Sequence, residues 1–289
     1  MNILLHKLQI LLLFLVLGLS FMACTKESSP VSNQLIQYTN SGKKALVVIV
    51  ENSDIIGFSD QNMYNMYKSS IVPVLASIFG VPGSALYKLS LLQIIKQYGE
   101  PWQIKQICDS AKYHYDKIVV LNHTSATLQC LKDSLLDLNG KYCIDLILNI
   151  HGSQYSVQFS DREVLIGELT GTIKDNGIKI RTVYQTCCYG KFMIGSWNNI
   201  GVYAVNGAEG NNVITLFSSS YFVKEWTSGK KFDDAVYSAF NDEIAKLKTF
   251  NSQLPIDTYL LTAENLNNSL QSVGGFDYSI LWKQIPVRY

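Results

Sequence analysis

Asp145-Leu146-Ile147-Leu148-Asn149-Ile150 runs without a break into His151-Gly152-Ser153. Alternate residues of a strand face opposite sides of a sheet, so a short run apolar at both parities reads as a strand covered on both faces. Such strands belong to parallel sheets, whose crossover helices lie on both sides. Immediately upstream, Thr124 or Ser125 can cap a helix carrying Leu128, Leu131, Leu135 and Leu138, which stops at Asn139-Gly140. The alternation repeats outward. Strands are predicted over Lys44–Glu51, Asp116–Asn122 and Lys179–Tyr184, with a fifth apolar run over Ile200–Val205. Helical spacing covers Asn62–Phe79, with Pro73 as a kink, and Leu86–Tyr98, ending before Gly99 and Pro101. Val213–Val223 leads into a long amphipathic helix over Phe232–Phe250, and residues 152–178 are ample for a crossover helix. Strands alternating with helices predict an α/β sandwich around a mainly parallel sheet.

The chain has 289 residues, 47% hydrophobic and 16% charged, enough for a substantial apolar core without metal or disulfide staples. Its net charge is +1 and no run of Lys or Arg occurs, which excludes a nucleic-acid partner on electrostatic grounds. Lys7 precedes an apolar stretch, Leu8–Phe21, that is short for a membrane span and reads as an export signal. Phe21-Met22-Ala23-Cys24 resembles the lipobox of bacterial lipoproteins, in which the Cys takes the lipid and becomes the mature N-terminus. The resemblance implies a signal peptide over 1–23, lipidation at Cys24 and an exported protein anchored at the cell envelope. The competing reading is an ordinary signal cut nearby. Residues 24–42, rich in Ser, Thr, Asn and Lys, read as a flexible tether. A domain over 43–250 follows, and 251–289 reads as a C-terminal extension packed on it.

With Cys24 lipidated, Cys108, Cys130, Cys143, Cys187 and Cys188 remain. Their odd number leaves a free thiol unless it bonds another chain. Cys108, Cys130 and Cys143 read as core thiols or a disulfide. Neither CxxC pairs nor finger spacing to His114, His123 or His151 occurs, so no metal and no cofactor is expected.

In an open parallel sheet, residues just past the carboxyl ends of adjacent strands converge on one crevice. His151 follows the third strand and Cys187 the fourth. A thiolate is a competent nucleophile, and an imidazole can take its proton and pass it to a leaving amine, so the pair suffices for acyl transfer. Gly152 lets a substrate carbonyl approach the backbone, whose N–H, with that of Cys187, can hold an oxyanion. Cys188, the next residue along an extended segment, is expected on the opposite face as a small buried side chain.

The pairing of strand-His-Gly with strand-Gln-x-Cys resembles the caspase-like cysteine peptidases, the group of caspases, metacaspases, legumains, clostripains and gingipains. His151-Gly152-Ser153 is similar to the His-Gly-Ser of legumains and gingipains, and Gln185-Thr186-Cys187 to the caspase Gln-Ala-Cys. Cys187-Cys188-Tyr189-Gly190 fits a Cys-x-x-Gly pattern, and Ala126-Thr127 matches the Ala-Thr of many bacterial members. Thr186 replaces the usual Ala, Ile150 stands where many members have Gly, and Gln185 is neutral where legumains and clostripains carry an acid. The resemblance covers about 43–240 and implies a three-layer sandwich with a six-stranded sheet and a cysteine endopeptidase acting through His151 and Cys187. Its oxyanion donors are then Gly152 and Cys187, and its substrate contacts Gln185, Asn206 and Glu209, the last an acid for a basic side chain. The partners are a peptide or protein substrate and, through lipid, the membrane. The rival expectation is an inactive lipoprotein that keeps the fold as a binding scaffold.

Overall fold

The computed structural model of the chain describes residues 37–39, 42–52, 58–212, 215–250 and 262–287. Six strands form the central sheet: β1 Lys44–Glu51, β2 Lys117–Asn122, β3 Cys143–Ile150, β4 Thr182–Gln185, β5 Ala204–Ala208 and β6 Gln271–Gly274. Their order is β2-β1-β3-β4-β5-β6; the first five run parallel, and β6 pairs antiparallel with β5. Helices are α1 Phe58–Phe79, α2 Glu100–Ala111, α3 Leu128–Leu138, α4 Ile166–Asp175, α5 Ser218–Thr227 and α6 Phe232–Lys248. The result is the expected three-layer α/β sandwich with a mainly parallel six-stranded sheet.

Both faces of the sheet are covered because both parities of its inner strands are apolar. β1 and β3 are buried along all eight residues each. Ala45, Val47 and Ile49 of β1 pack with Leu146 and Leu148 of β3 against Leu131 and Leu135 of α3 and Leu169 and Ile173 of α4. The other parity, Leu46, Val48, Val50 and Ile147, meets Ile107 of α2, Trp226 of α5 and Phe232, Val236 and Ala239 around α6. Each such side chain contributes roughly 1.5–3 kcal/mol relative to exposure.

Several boundaries differ from expectation. The helix expected to end before Gly99 continues through a π-helical turn, Ile95–Gly99, directly into α2 with Pro101 near its start. The widened turn takes up the proline's missing donor and ring clash. β4 lies at Thr182–Gln185 and β5 at Ala204–Ala208, each later than predicted from the apolar runs. The segment expected as a C-terminal extension instead supplies β6, an integral edge strand. Tyr38–Thr39 pairs antiparallel with Ile285–Pro286, so the end of the expected tether joins the fold. The rest of that tether, the leader and Cys24 lie outside the described residues.

One polar cluster sits within this apolar frame. Asp145 of β3 accepts hydrogen bonds from Arg181 Nε (2.9 Å) and Nη2 (2.5 Å), Thr182 Oγ1 (2.7 Å), Tyr115 Oη (2.8 Å) and Trp226 Nε1 (3.5 Å). Arg181, fully buried, also donates to the carbonyls of Trp282 and Gln284 at 2.8 and 2.7 Å. Removing one partner strands the other charge in the core. Asp145→Ala is therefore expected to cost about 3–5 kcal/mol, measured by denaturant unfolding. A second buried acid gives a pH signature. Glu243 of α6 accepts from the Phe217 N–H at 2.9 Å, and burial pushes its carboxyl up to about 7. As pH rises from the ordinary carboxylate range towards 7, the unfolded chain loses this proton while the fold keeps it. Stability should then fall by about 3 kcal/mol, a loss absent in Glu243→Gln.

Candidate active site

The carboxyl ends of β3 and β4 lie side by side: Leu148 pairs with Gln185, and the Thr186 N–H donates to the Leu148 carbonyl at 3.0 Å. The expected juxtaposition of the segments after the two strands is present. Gly152 forms an isolated bridge with Val157, in a hairpin of Ser156–Gln158 and Glu163–Leu165. That bridge is made by neighbouring groups, Gln158 N–H to the His151 carbonyl and Ser153 N–H to the Ser156 carbonyl, so the Gly152 amide takes no part in it. A Cβ on Gly152 would lie 2.8 Å from Cys187 Cβ, 3.2 Å from the Cys188 carbonyl oxygen and 3.2 Å from Met193 Cε. Only glycine fits this contact.

The two cysteines have the reverse of their expected exposure. Cys187 is 0% exposed and packs in the α3/α4 layer with Met193 and Trp197. Its thiol is pushed up to about 12 by burial, with the neighbouring Cys188 adding to the effect. Cys188, expected as a buried apolar side chain, is half-buried and reaches solvent. Its Sγ accepts from the Asn212 N–H at 3.3 Å, which opposes the upward push of burial on its pKa. The reason is strand parity. Val183 faces the α3/α4 layer, and so does Gln185, whose side-chain oxygen accepts from Trp197 Nε1. Tyr184 faces α5 and α6, and Thr186 bonds Asn149 Oδ1 at 2.9 Å on that same side. Cys187 continues the first series and Cys188 the second.

His151 follows Asn149 by two residues, while Gly152 turns towards Cys187, so the imidazole belongs to the face of Asn149 and Thr186. It is half-buried, and its Nε2 lies 3.0 Å from the Asn52 carbonyl oxygen, just past the end of β1. A carbonyl only accepts, so Nε2 carries a proton, and in the neutral tautomer the lone pair is at Nδ1. Asn52 is held in turn: its N–H donates to Glu100 Oε1 at 2.7 Å, and its side chain donates to Gln103 (3.3 Å) and Asn149 (3.4 Å).

Two expected substrate contacts are corrected by burial. Gln185 and Asn206 are both 0% exposed and cannot touch a substrate. Asn206 brackets the Gln185 backbone, accepting from its N–H at 2.8 Å and donating to its carbonyl at 2.9 Å. Gln185 donates to the Gly190 carbonyl at 3.0 Å, closing the loop that carries the cysteines. Glu209 is partly exposed but occupied, by Lys191 at 2.5 Å and by Ser272; both hydrogen bonds hold its carboxyl below the usual range. Cys108, Cys130 and Cys143 are free thiols.

Sequence spacing missed Asn52, Asn149 and Glu100. Carboxylate oxygens of Glu51 and Glu100 and a ring nitrogen of His123 lie within 4.8 Å of one another at this same sheet edge, a set that could hold a divalent ion. A cavity of about 430 Å³ opens elsewhere, among Lys43, Asn139, Tyr142, Lys179 and Ile285, and none of His151, Gly152, Cys187 and Cys188 lines it.

No family model matches the chain, and no curated protein matches it. Among solved structures, gingipain R, an Arg-specific cysteine proteinase, aligns at TM-score 0.42 and 13% identity, over 82% of this chain and 47% of that one. A secreted C11 cysteine protease of Bacteroides thetaiotaomicron, iotapain, aligns at TM-score 0.42 and 9% identity, over 70% and 62%. The complex of the pro- and mature domains of Porphyromonas gingivalis RgpB aligns at TM-score 0.41 and 14% identity, over 85% and 51%. The chain spans between about half and three fifths of the length of these proteins, and likeness at this level assigns no activity.

Overpacking tests the Gly152 contact. Gly152→Ala should lower stability by about 1–3 kcal/mol in thermal or denaturant unfolding, because the new methyl must displace Cys187 or the Cys188 backbone.

Proposed function

We propose that the chain is a cysteine peptidase whose nucleophile is Cys188 and whose acid–base group is His151. The observation that carries this reading is the partial solvent access of His151 and Cys188 against the complete burial of Cys187, supported by strand alternation, which carried past β3 and β4 puts the first two on one face. The substrate class comes from the motif resemblance around His151-Gly152 and Gln185-Thr186-Cys187-Cys188.

Chemistry follows from the groups available. Nδ1 of His151 takes the Cys188 thiol proton, and the sulfur attacks the peptide carbonyl carbon, forming the C–S bond. The carbonyl oxygen becomes an oxyanion, held by the backbone N–H groups of Gly152 and Cys188. His151 passes its proton to the amide nitrogen as the C–N bond breaks and the amine leaves. Water, deprotonated by the same imidazole, then attacks the thioester, releasing the acid and restoring the thiol. The Asn52 carbonyl keeps the ring oriented throughout. No metal or cofactor enters these steps. A lipid on Cys24 would hold the enzyme at the envelope, and Glu209, once Lys191 moves aside, would offer an acid to a basic substrate side chain.

Labelling with a peptidyl acyloxymethyl ketone tests the assignment. Cys188→Ala should abolish label, Cys187→Ala should retain it in folded protein, and His151→Ala should slow it at least about 100-fold at neutral pH. Label lost only in Cys187→Ala would return the nucleophile to the buried position. Indifference to all three changes would leave a scaffold.

A further inference from the structure

The imidazole is held by a backbone carbonyl, and that carbonyl belongs to a residue held from behind by a buried carboxylate. Glu100 is 0% exposed at the first position of α2, and its Oε1 accepts the Asn52 N–H at 2.7 Å. The Asn52 carbonyl receives His151 Nε2 at 3.0 Å. The second Glu100 oxygen lies 3.2 Å from Nδ1 of His123, whose side chain is 40% exposed. The Asn52 side chain is tied to Gln103 and Asn149, and Asn149 Oδ1 accepts Thr186 Oγ1 at 2.9 Å, two residues before Cys188. One residue is thus anchored at its amide and its side chain while presenting its carbonyl to the ring.

We propose that Glu100 is a positioning residue for His151, acting through Asn52 to aim the imidazole at the thiol of Cys188. The inference rests on the peptidase reading above for its outcome, though its geometry does not. Bonds to the N–H and C=O on either side of one Cα fix the two peptide planes that flank it. An N–H bond to a carboxylate is among the stronger hydrogen bonds and tolerates little displacement. Without it, Asn52 keeps only side-chain bonds of 3.3–3.4 Å. The imidazole would then be free to follow a looser carbonyl. A displacement of about 1 Å at a reacting group costs on the order of 100-fold in rate.

The test measures the rate at which iodoacetamide alkylates Cys188 as a function of pH, in the whole chain carrying Cys187→Ala and in variants on that background. Glu100→Ala is expected to slow alkylation by about 10- to 100-fold at pH 7 and to move the apparent thiol pKa upward. At a pH above that pKa, where the thiol ionises without help, its rate should match the parent. Glu100→Gln keeps an oxygen for the Asn52 N–H and should restore most of the neutral-pH rate. A merely structural role predicts a different pattern: equal losses at all pH values, tracking unfolding, with no rescue by Gln. That pattern, or an unchanged profile in Glu100→Ala, overturns the proposal. If Glu100→Ala does not fold, Glu100→Asp decides, since it keeps the buried carboxylate but draws it back by one methylene from the Asn52 N–H; a parental profile there overturns the proposal too. His151→Ala in the same assay separates the two claims. If that change leaves the neutral-pH rate intact, the peptidase reading fails; if it slows the rate while Glu100→Ala does not, only the positioning role fails.

Discussion

A single carboxylate decides which way the ends of the central strands face. Asp145 lies third in β3, paired in register with Thr182, and it gathers Arg181, Thr182, Tyr115 and Trp226 onto its two oxygens. A charge this deep is tolerable only with donors on every side, so the β3–β4 register that supplies Arg181 and Thr182 is enforced by the cost of losing them. Because the side-chain period of a strand is two, a slip of one residue would exchange the faces of everything downstream. Cys187 and Cys188 would trade places. The same cluster draws in the chain beyond β6, since Arg181 also needs the carbonyls of Trp282 and Gln284. What sequence periodicity presented as an appended tail is thereby part of the register lock.

Adjacent cysteines consequently have unlike chemistry. The Cys187 sulfur lies among Met193, Trp197 and Leu148, and there burial outweighs the backbone N–H groups of Cys187 and Ile150, pushing its thiol up to about 12. Cys188 is also pushed up by burial, but it receives the Asn212 amide and is half-buried. A thiolate forms where opposite charge and hydrogen-bond donors offset its desolvation. Gly152 links the two environments. Its missing side chain admits Cys187 beneath it, and its amide is left outside the hairpin bridge above.

Much of this architecture was legible in the residues themselves. β1 and β3 are apolar at both parities, and α3 has leucines at helical spacing up to Asn139-Gly140, so propensity and periodicity agree, although the cap is Thr127 rather than the expected Thr124 or Ser125. His151-Gly152 and the cysteine pair were found for the same reason: each follows such a strand. Face was harder than position. Motif spacing counts residues from His151 but does not say where β4 begins, and its apolar run suggested Lys179–Tyr184 rather than Thr182–Gln185. The thiol matching the Cys-x-x-Gly pattern therefore proved to be the buried one. Asn206 and Gln185 misled by type, since polar residues near a loop suggest contact with a ligand, whereas Asn206 is taken up by the Gln185 backbone and Gln271, and the Gln185 side chain by Gly190 and Trp197. Pro101 hid α2, and with it Glu100.

The edge around His151 is furnished mainly by neutral amides, and electrostatics gives a reason. Asn52, Gln103 and Asn149 exchange hydrogen bonds with one another and with Thr186, so their buried donors and acceptors are met without net charge. A carboxylate in direct contact with the imidazole would favour its protonated form. Placing the buried acid one residue further back, on the Asn52 N–H rather than on the ring, retains the rigidity of a charged hydrogen bond while a neutral carbonyl faces the histidine. The ring is thereby oriented through Nε2, and in its neutral form the lone pair lies at Nδ1.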